Sequence, residues 1–99
     1  MASVSPPRHA YDVEHEPERK RFVIRVEGDE ALLEYRLRGR RLTITHTEVP
    51  EHLGGRGIAA ALTTAALRFV REGRLKVVPQ CAYAAAFMER HTEYTDLLV

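Results

Sequence analysis

The feature that most constrains the fold of this chain is an abrupt change of character within EVPEHLGGRGIAAALTTAAL, residues 48–67. A polar segment runs into three glycines, Gly54, Gly55 and Gly57, and then into an alanine-rich run without another glycine until Gly73. Glycine is the most permissive residue for the backbone, and alanine is the best helix former. The sequence therefore predicts a tight turn that opens directly into a long helix, with Gly73 as its C-terminal stop.

The segment before this turn predicts β-strands. RFVIRVEGDEALLEYRLRGRRLTITHTEV contains three runs rich in β-branched and aromatic residues, cut at Gly28 and Gly39. Alternate residues of each run share a face. The shared faces are Phe22, Ile24 and Val26 in the first run, Leu33, Tyr35 and Leu37 in the second, and Leu42 and Ile44 in the third, continuing to His46 and Glu48. This alternation predicts three antiparallel neighbours.

After the turn, the apolar residues adopt the spacing of a helix. One apolar face collects residues at intervals of three and four: Ile58, Ala61, Leu62, Ala65, Ala66 and Phe69. LKVVP then predicts a short strand that ends at Pro79, and QCAYAAAFMERH predicts a second, shorter helix. The last residues, TEYTDLLV, have apolar ends that fit a short edge strand.

These elements define an α/β fold in the order βββαβα. A strand, a crossover helix and a further strand favour parallel pairing with a right-handed connection. The third and fourth strands are therefore expected side by side in a mixed, mainly antiparallel sheet.

Length and composition limit the number of domains. A chain of 99 residues with 44% hydrophobic content can bury one core but not two. Residues 1–20 carry three prolines and mostly polar side chains, which predicts a loose lead-in that adds little to the core. We expect residues 1–11 to be flexible and residues 12–99 to form one domain.

The charge balance and the single cysteine exclude several classes of function. Lys and Arg total 15 against 14 Asp and Glu, so no overall field favours nucleic acid or membrane as a partner. No apolar run approaches the roughly 20 residues that span a bilayer, and no secretory signal is recognisable. We expect a cytoplasmic protein, monomeric or weakly dimeric. Cys81 should be a free thiol, and no metal site is expected.

The glycine-rich turn has the properties of an anion-binding site. Between a strand and a helix N-terminus it exposes unpaired backbone N–H groups at the positive end of the helix dipole. Glycine suits such a turn because a Cβ atom would hold a phosphate away from the amides. The spacing matches neither G-x-G-x-x-G nor G-x-x-x-x-G-K-[ST], so neither common nucleotide loop is present.

Two longer motifs carry a family resemblance. HTEVPEHLGGRGIAAAL, followed by KVVPQCAYAAAFMERHTEY, resembles the short branch of the GCN5-related N-acetyltransferase (GNAT) family. The family loop, [Q/R]-x-x-G-x-[G/A], maps to residues 52–57, with His52 where glutamine or arginine is usual. The resemblance covers about residues 12–98 and implies a minimal GNAT fold with a splayed pair of strands.

The resemblance implies an acetyl-CoA site built mostly from main chain. In GNAT folds the amides of the glycine loop hold the pyrophosphate, and the preceding strand end, Thr47 to Val49 here, pairs with the pantetheine arm. The thioester then lies in the splayed gap, between Glu48 and the segment from Pro79 to Cys81. The residues assigned to the cofactor are Val49, Gly54, Gly55, Arg56, Gly57, Ile58, Ala59, Phe87 and Arg90.

Three of these assignments have a simpler structural interpretation. Arg56 fits a phosphate contact and equally an exposed turn arginine. Phe87, four residues after Tyr83, fits the core as well as a cofactor wall. Arg90 fits the neighbourhood of the adenosine phosphate, and also the cation that suits a helix C-terminus.

Acetyl transfer to an amine requires a proton acceptor, a partner for the developing negative oxygen and a proton donor for the departing thiolate. His46 and Glu48 are candidate bases on the third strand, although a satisfied histidine and a solvated strand end explain them equally. Cys81 follows Pro79 and opens the second helix, where the dipole favours a negatively charged sulfur. It either accepts the acetyl group, contacts the cofactor sulfur, or packs as a small apolar residue.

The sequence thus predicts an acetyl-CoA-dependent N-acetyltransferase acting on a primary amine of an unknown small-molecule or protein acceptor. The alternative is a CoA-binding or protein-interaction module without turnover. An RNA-binding domain is disfavoured because no paired aromatic motif lies on the strands. RLRGRR, residues 36–41, is interpreted as a basic, solvated hairpin turn without the aromatics of a single-strand binding surface.

Overall fold

The sheet begins earlier in the chain than the sequence indicates. The computed structural model describes residues 11–99, and within it strand β1 (Glu14–Glu16) pairs antiparallel with β2 (Arg21–Val26). A 3₁₀ turn, Pro17–Arg19, joins them. The prediction of a loose lead-in through residue 20 is therefore wrong for its second half, whereas residues 1–10 lie outside the described residues. His15 anchors β1, since its ring stacks on Phe22 with centroids 4.1 Å apart.

The predicted meander and its parallel neighbour are confirmed. β3 (Asp29–Arg38) pairs antiparallel with β2 and with β4 (Arg41–Glu48). The fifth strand, β5 (Lys76–Pro79), pairs parallel with β4, and the order across the sheet is β1-β2-β3-β4-β5. The described order of elements is thus ββββαβα rather than βββαβα.

Both helices cover one face of the sheet. Helix α1 (Ile58–Glu72) and helix α2 (Ala82–Arg90) pack on the face that we call the inner face, which carries Phe22, Leu33, Tyr35, Leu42 and Ile44. The two helices also pack against each other. The opposite, outer face has no helix on it among the described residues. Gly73 caps α1 as predicted.

The buried side of α1 is rotated from the predicted stripe. Leu67 and Val70 are fully buried, whereas the predicted Ala61, Ala65 and Phe69 are only partly buried. The larger side chains occupy the core because they bury more apolar area than alanine does. Among the described residues, no helix combines the length and apolarity needed to cross a membrane.

The C-terminal segment forms a 3₁₀ helix instead of the predicted edge strand. Thr92–Leu97 adopt this helix, and only Leu98 makes a single parallel bridge, to Val77. Leu97 is buried in the core, so one apolar side chain fixes the segment without a second strand hydrogen-bond ladder.

A β-bulge sets which side chains of β4 face the helices. Ile44 lies opposite Tyr35, but Glu34 lies opposite His46, so Thr45 is an extra residue on β4. Side-chain direction alternates along a strand, and one inserted residue reverses it for every residue that follows. The predicted shared face of Leu42, Ile44, His46 and Glu48 is therefore wrong beyond Ile44.

In the described part of the chain, the same end of β4 has no strand partner on its other side. β5 pairs with β4 only as far as Ile44 and Pro79, while β4 continues to Glu48. The ladder between the two strands ends at this point, and we call the stretch without strand pairing, between the end of β4 and the start of α2, the gap. This is where the family resemblance places the splayed strand pair.

Candidate functional site

The glycine turn adopts the conformation that its composition predicts. After the 3₁₀ turn Glu51–Leu53, Gly55 and Gly57 both have φ of +80°, a left-handed region that favours glycine. Gly57 is the N-cap of α1 and contributes no side chain to the helix end. The backbone amides at this terminus therefore have no capping group from the N-cap residue.

A continuous run of these amides is free. Among the described residues, no protein acceptor receives the N–H groups from Gly55 to Ala60, and the first helical donor is Ala61, which donates to the carbonyl of Gly57. Gly54 is an exception, because its N–H donates to the carbonyl of Glu51 at 3.0 Å. This bond engages the Gly54 amide within the protein, so Gly54 is not one of the free donors. The donor set begins at Gly55.

The space around the free amides is open. An ideal Cβ atom on Gly55 or Gly57 meets nothing within 4 Å, and residues 54–57 are exposed. A cavity of about 500 Å³ opens beside the turn and runs along α1, lined by Tyr11, Val13, Arg56, Gly57, Ala60, Ala61, Thr64, Ala65 and Arg68. The turn can therefore accept a diphosphate at the positive end of the helix dipole.

Arg56 fixes the turn through its side chain and through its backbone carbonyl. Its guanidinium forms an ion pair with Glu27 at 3.0 Å, and its carbonyl accepts the hydroxyl of Tyr11 at 3.0 Å. The structure thus favours the turn-arginine interpretation, although the exposed side chain can exchange its partner at little cost.

Thr47 and Cys81 meet across the gap. The Thr47 hydroxyl lies 3.4 Å from the Cys81 sulfur. Cys81 is the N-cap of α2 and accepts the N–H of Ala84 at 3.4 Å, so the free thiol is fixed at a helix N-terminus. The amides of Gln80 and Cys81 donate to the carbonyl of Ile44, which ties α2 to β4 where the strands part.

The two candidate bases lie on the other side of the same strand. His46 Nε2 and Glu48 Oε1 are 3.2 Å apart, and their side chains are 53% and 65% exposed on the outer face. The structure therefore brings His46 to Glu48, and separates both from Cys81 by the thickness of β4. The His46–Glu48 pair and the thiol of Cys81 therefore lie on opposite faces of the same strand end.

The side-chain position of Thr47 was not predicted, because the family resemblance assigned only the strand end from Thr47 to Val49 to the pantetheine arm and implied no contact with Cys81. Thr47 lies opposite Leu33, on the inner face, because of the bulge at Thr45. The signal was present in TITHTE, where both alternating sets become polar after Ile44. Where neither face of a strand is apolar, the hydrophobic pattern no longer specifies the register.

The remaining predicted cofactor residues are distributed around the turn and α2. Val49 is partly buried against the core, and Ile58 is buried, so Ile58 offers only its backbone. Phe87 is 3% exposed and its ring stacks on His91 with centroids 3.9 Å apart, which favours the core interpretation over the cofactor wall. Arg90 is exposed in the last turn of α2.

A second polar cluster lies on the inner face beneath β1. The His15 ring nitrogen Nε2 is 2.6 Å from the Tyr35 hydroxyl, and Phe69 meets the same ring edge-on at 4.6 Å. Burial lowers the pKa of His15 and raises the pKa of Tyr35. Within residues 11–99, no group of three or more His, Cys, Asp or Glu side chains has the arrangement of a metal site.

Fold and turn together define a class of protein: a small α/β domain whose splayed strands and glycine turn have the arrangement of an N-acetyltransferase. A family model described as GCN5-related N-acetyl-transferase matches residues 21–97. The chain belongs to this family, which confirms the resemblance seen in its sequence.

Individual relatives support the same conclusion. Protein NATD1 of Gallus gallus is 42% identical over 82 residues, which span 80% of this chain and 74% of that protein. Protein NATD1 of Danio rerio is 39% identical over 92 residues, spanning 88% and 84%. A solution NMR structure of a GCN5-like protein from Staphylococcus aureus matches with a TM-score of 0.72 at 27% identity, covering 89% of this chain and 87% of that one.

Proposed function

We propose that this protein binds acetyl-CoA at the glycine turn and transfers the acetyl group to a primary amine. The observation that carries the proposal is the run of free amides from Gly55 to Ala60 at the N-terminus of α1. Several donors and the helix dipole suit a diphosphate far better than a neutral ligand. The open space at Gly55 and Gly57 supports the same ligand.

The gap supports a place for the pantetheine arm. Beyond Ile44, no described residue pairs as a strand with β4 on its β5 side, so the backbone groups of this edge are available for the amides of the arm. An arm along this edge would bring the thioester towards Thr47 and Cys81. Bound acetyl-CoA would supply the acetyl group as a thioester, and the protein would supply orientation and proton transfer.

The residues at the gap have suitable chemistry for direct transfer. Glu48, with His46 beside it, would accept the proton of the attacking amine directly or through a water molecule. As the amine nitrogen bonds to the carbonyl carbon, the carbon–sulfur bond breaks. The Thr47 hydroxyl and the Cys81 thiol would then donate hydrogen bonds to the departing sulfur.

The cofactor site is tested by Gly57→Ala, with Gly39→Ala as a matched control. Both glycines have positive φ, at 80° and 58°, and an added Cβ meets nothing within 4 Å at either. Each variant should lose about 1 kcal/mol of unfolding free energy. Only Gly57→Ala should raise the Kd for acetyl-CoA, by about tenfold or more. Equal affinity of both variants in calorimetric titration would remove the turn from the site.

A CoA-binding module without turnover is the second candidate function. It is favoured by the exposure of His46 and Glu48 and by their pairing with each other, on the face away from Cys81. Release of free CoA thiol in the presence of small amines and peptide amines separates the two candidates. Binding of acetyl-CoA without acceleration by any amine would select the module.

A further inference from the structure

A group of cations on the outer face is not used by the proposed site. A cavity of about 580 Å³ is lined by Arg36, Arg38, Arg40, Arg41, Thr43, Lys76 and Val99. We call the five cationic residues of this set the basic cluster. All five are exposed. Arg38 lies directly opposite Arg41, and Lys76 is the partner of Arg41 on its other side. Three cations thus stand in one row across three strands.

The charge of this cluster is mostly not neutralised. Within residues 11–99, none of its four arginines makes an ion pair. Lys76 donates to the backbone carbonyl of Asp96 at 2.8 Å, but the carboxylate of Asp96 is bound by Arg71. Like charges placed directly opposite each other destabilise a sheet. An anionic ligand would relieve this repulsion.

Carboxylates fit the cluster better than a nucleic-acid backbone. Arginine forks bind both carboxylates and phosphates in bidentate geometry. However, the outer face becomes acidic beyond the pair formed by Arg36 and Thr43. There Glu34 on β3 lies opposite His46 on β4, and Glu48 lies on the same face two residues after His46. A long polyanion would meet these carboxylates. Among the described residues, no aromatic side chain lines the cavity, so none of them offers stacking to bases there.

The cluster and the candidate base lie at opposite ends of one strand and on the same face. β4 runs from Arg41 to Glu48, which is about 20 Å at the usual rise of a strand. About six extended residues span that distance. The outer face therefore has a cationic end for acidic side chains, and an anionic end, with Glu34 and Glu48, for the ammonium form of an acceptor.

We propose that the acceptor is a polypeptide that carries a short acidic segment about six residues from the acetylated amine. The carboxylates bind the basic cluster, and the amine reaches His46 and Glu48 at the gap. This inference rests on the proposed transferase function and names the substrate class of that site. The absence of a helix on the described outer face leaves room for an extended peptide along β4.

Peptides of defined spacing test the proposal. The first probe has a free N-terminus, six neutral residues and four glutamates. The second replaces the glutamates by glutamines, and the third places the glutamates next to the N-terminus. The first should have a KM about tenfold lower than the other two. Arg38→Glu/Arg41→Glu should remove this advantage while leaving kcat and the Kd for acetyl-CoA unchanged.

A matched control separates local docking from net charge. Arg19→Glu/Lys20→Glu makes the same charge change at exposed residues of the β1–β2 turn. This control should retain the tenfold preference. Equal KM values for the three probes in the wild-type protein, or an equal loss in the two double variants, would overturn the docking surface and leave the transferase proposal intact.

Direct binding keeps the test independent of turnover. Fluorescence anisotropy of the labelled first probe should show binding to the wild-type protein and to the control, and a loss of at least tenfold with Arg38→Glu/Arg41→Glu. If no amine is acetylated, the transferase proposal fails, and this measurement shows whether the cluster still binds the acidic segment. Tighter binding of a single-stranded RNA of equal charge, lost in the same variant, would overturn the acidic-peptide assignment.

Discussion

The two faces of the sheet carry similar polar side chains in different environments. On the inner face, Thr47 contacts Cys81, and His15 is held between Phe22 and Phe69. On the outer face, His46 and Glu48 pair with each other and are more than half exposed. Inner polar groups are fixed by packing, whereas outer ones are fixed only by neighbouring charges. Inner substitutions should therefore change stability, and at Cys81 the reaction as well, whereas outer ones should change reactivity and recognition with little effect on stability.

The largest expected effect is on the outer face and concerns activity. Glu48→Gln removes the proposed proton acceptor at almost constant shape, so kcat should fall by about 100-fold. Because Glu48 is exposed, the free energy of unfolding should change by less than about 0.5 kcal/mol. Steady-state kinetics with a peptide amine and urea unfolding measure the two quantities. Glu18→Gln, an exposed carboxylate in the β1–β2 turn, serves as control. Full activity of Glu48→Gln would show that the outer face does not supply the base.

A pair of lysine substitutions tests which side chain points inwards. Thr47→Lys places a cation in the half-buried gap near the N-terminus of α2, which should cost about 1.5 kcal/mol of unfolding free energy. Glu48→Lys, one residue later, should cost less than about 0.5 kcal/mol. Urea unfolding of both variants gives the comparison. A larger loss for Glu48→Lys would contradict the reversal of faces at the bulge.

Cys81 allows a test on the inner face that separates hydrogen bonding from covalent chemistry. Cys81→Ala removes both the α2 cap and the proton donor, so kcat should fall by about tenfold while the Kd for acetyl-CoA stays unchanged. Cys81→Ser restores a capping and donating group and should recover most of the rate. An inactive serine variant, together with an acetylated Cys81 in the mass spectrum of the wild-type protein, would contradict direct transfer and indicate a covalent route through Cys81.

The smallest effect is the pH dependence contributed by His15. Burial lowers its pKa, so the unfolded chain takes up a proton before the folded one does. The stability that neutral His15 contributes is complete above the ordinary histidine pKa of about 6.5, and is lost as the pH falls through that value towards the folded pKa. His15→Phe should flatten this part of the profile in urea unfolding between about pH 7.5 and 5.5. Parallel profiles for wild type and His15→Phe would show that His15 is not desolvated.

Strands and helices with a strong period were predictable from the sequence. The meander, the parallel β4–β5 pair and the cap at Gly73 are all as expected, because alternation, crossover geometry and glycine chemistry act locally. The glycine turn was predictable for the same reason. Its free amides follow from a helix N-terminus preceded by residues that supply no cap.

The features that were not predicted from the sequence depend on contacts between residues that are distant in the chain. β1 has three polar residues and no period of its own, and it exists because His15 stacks on Phe22 and Arg25 pairs with Glu14 and Glu16. The rotation of α1 reflects competition among its apolar side chains for the core. The contact of Thr47 with Cys81 depends on the bulge at Thr45. The sequence does not indicate this bulge, because threonines alternate along β4 on both sides of it.

The extra residue at Thr45 has a consequence for any comparison or redesign of this domain. An alignment that treats β4 as a regular strand exchanges the roles of Thr47 and Glu48, and would assign the solvent-facing carboxylate to the thiol side. Transfer of this strand end onto another scaffold must therefore include the insertion, together with the backbone carbonyl of Glu34 that the Thr45 hydroxyl donates to at 3.2 Å. Without that insertion, the grafted side chains would project from the wrong surfaces.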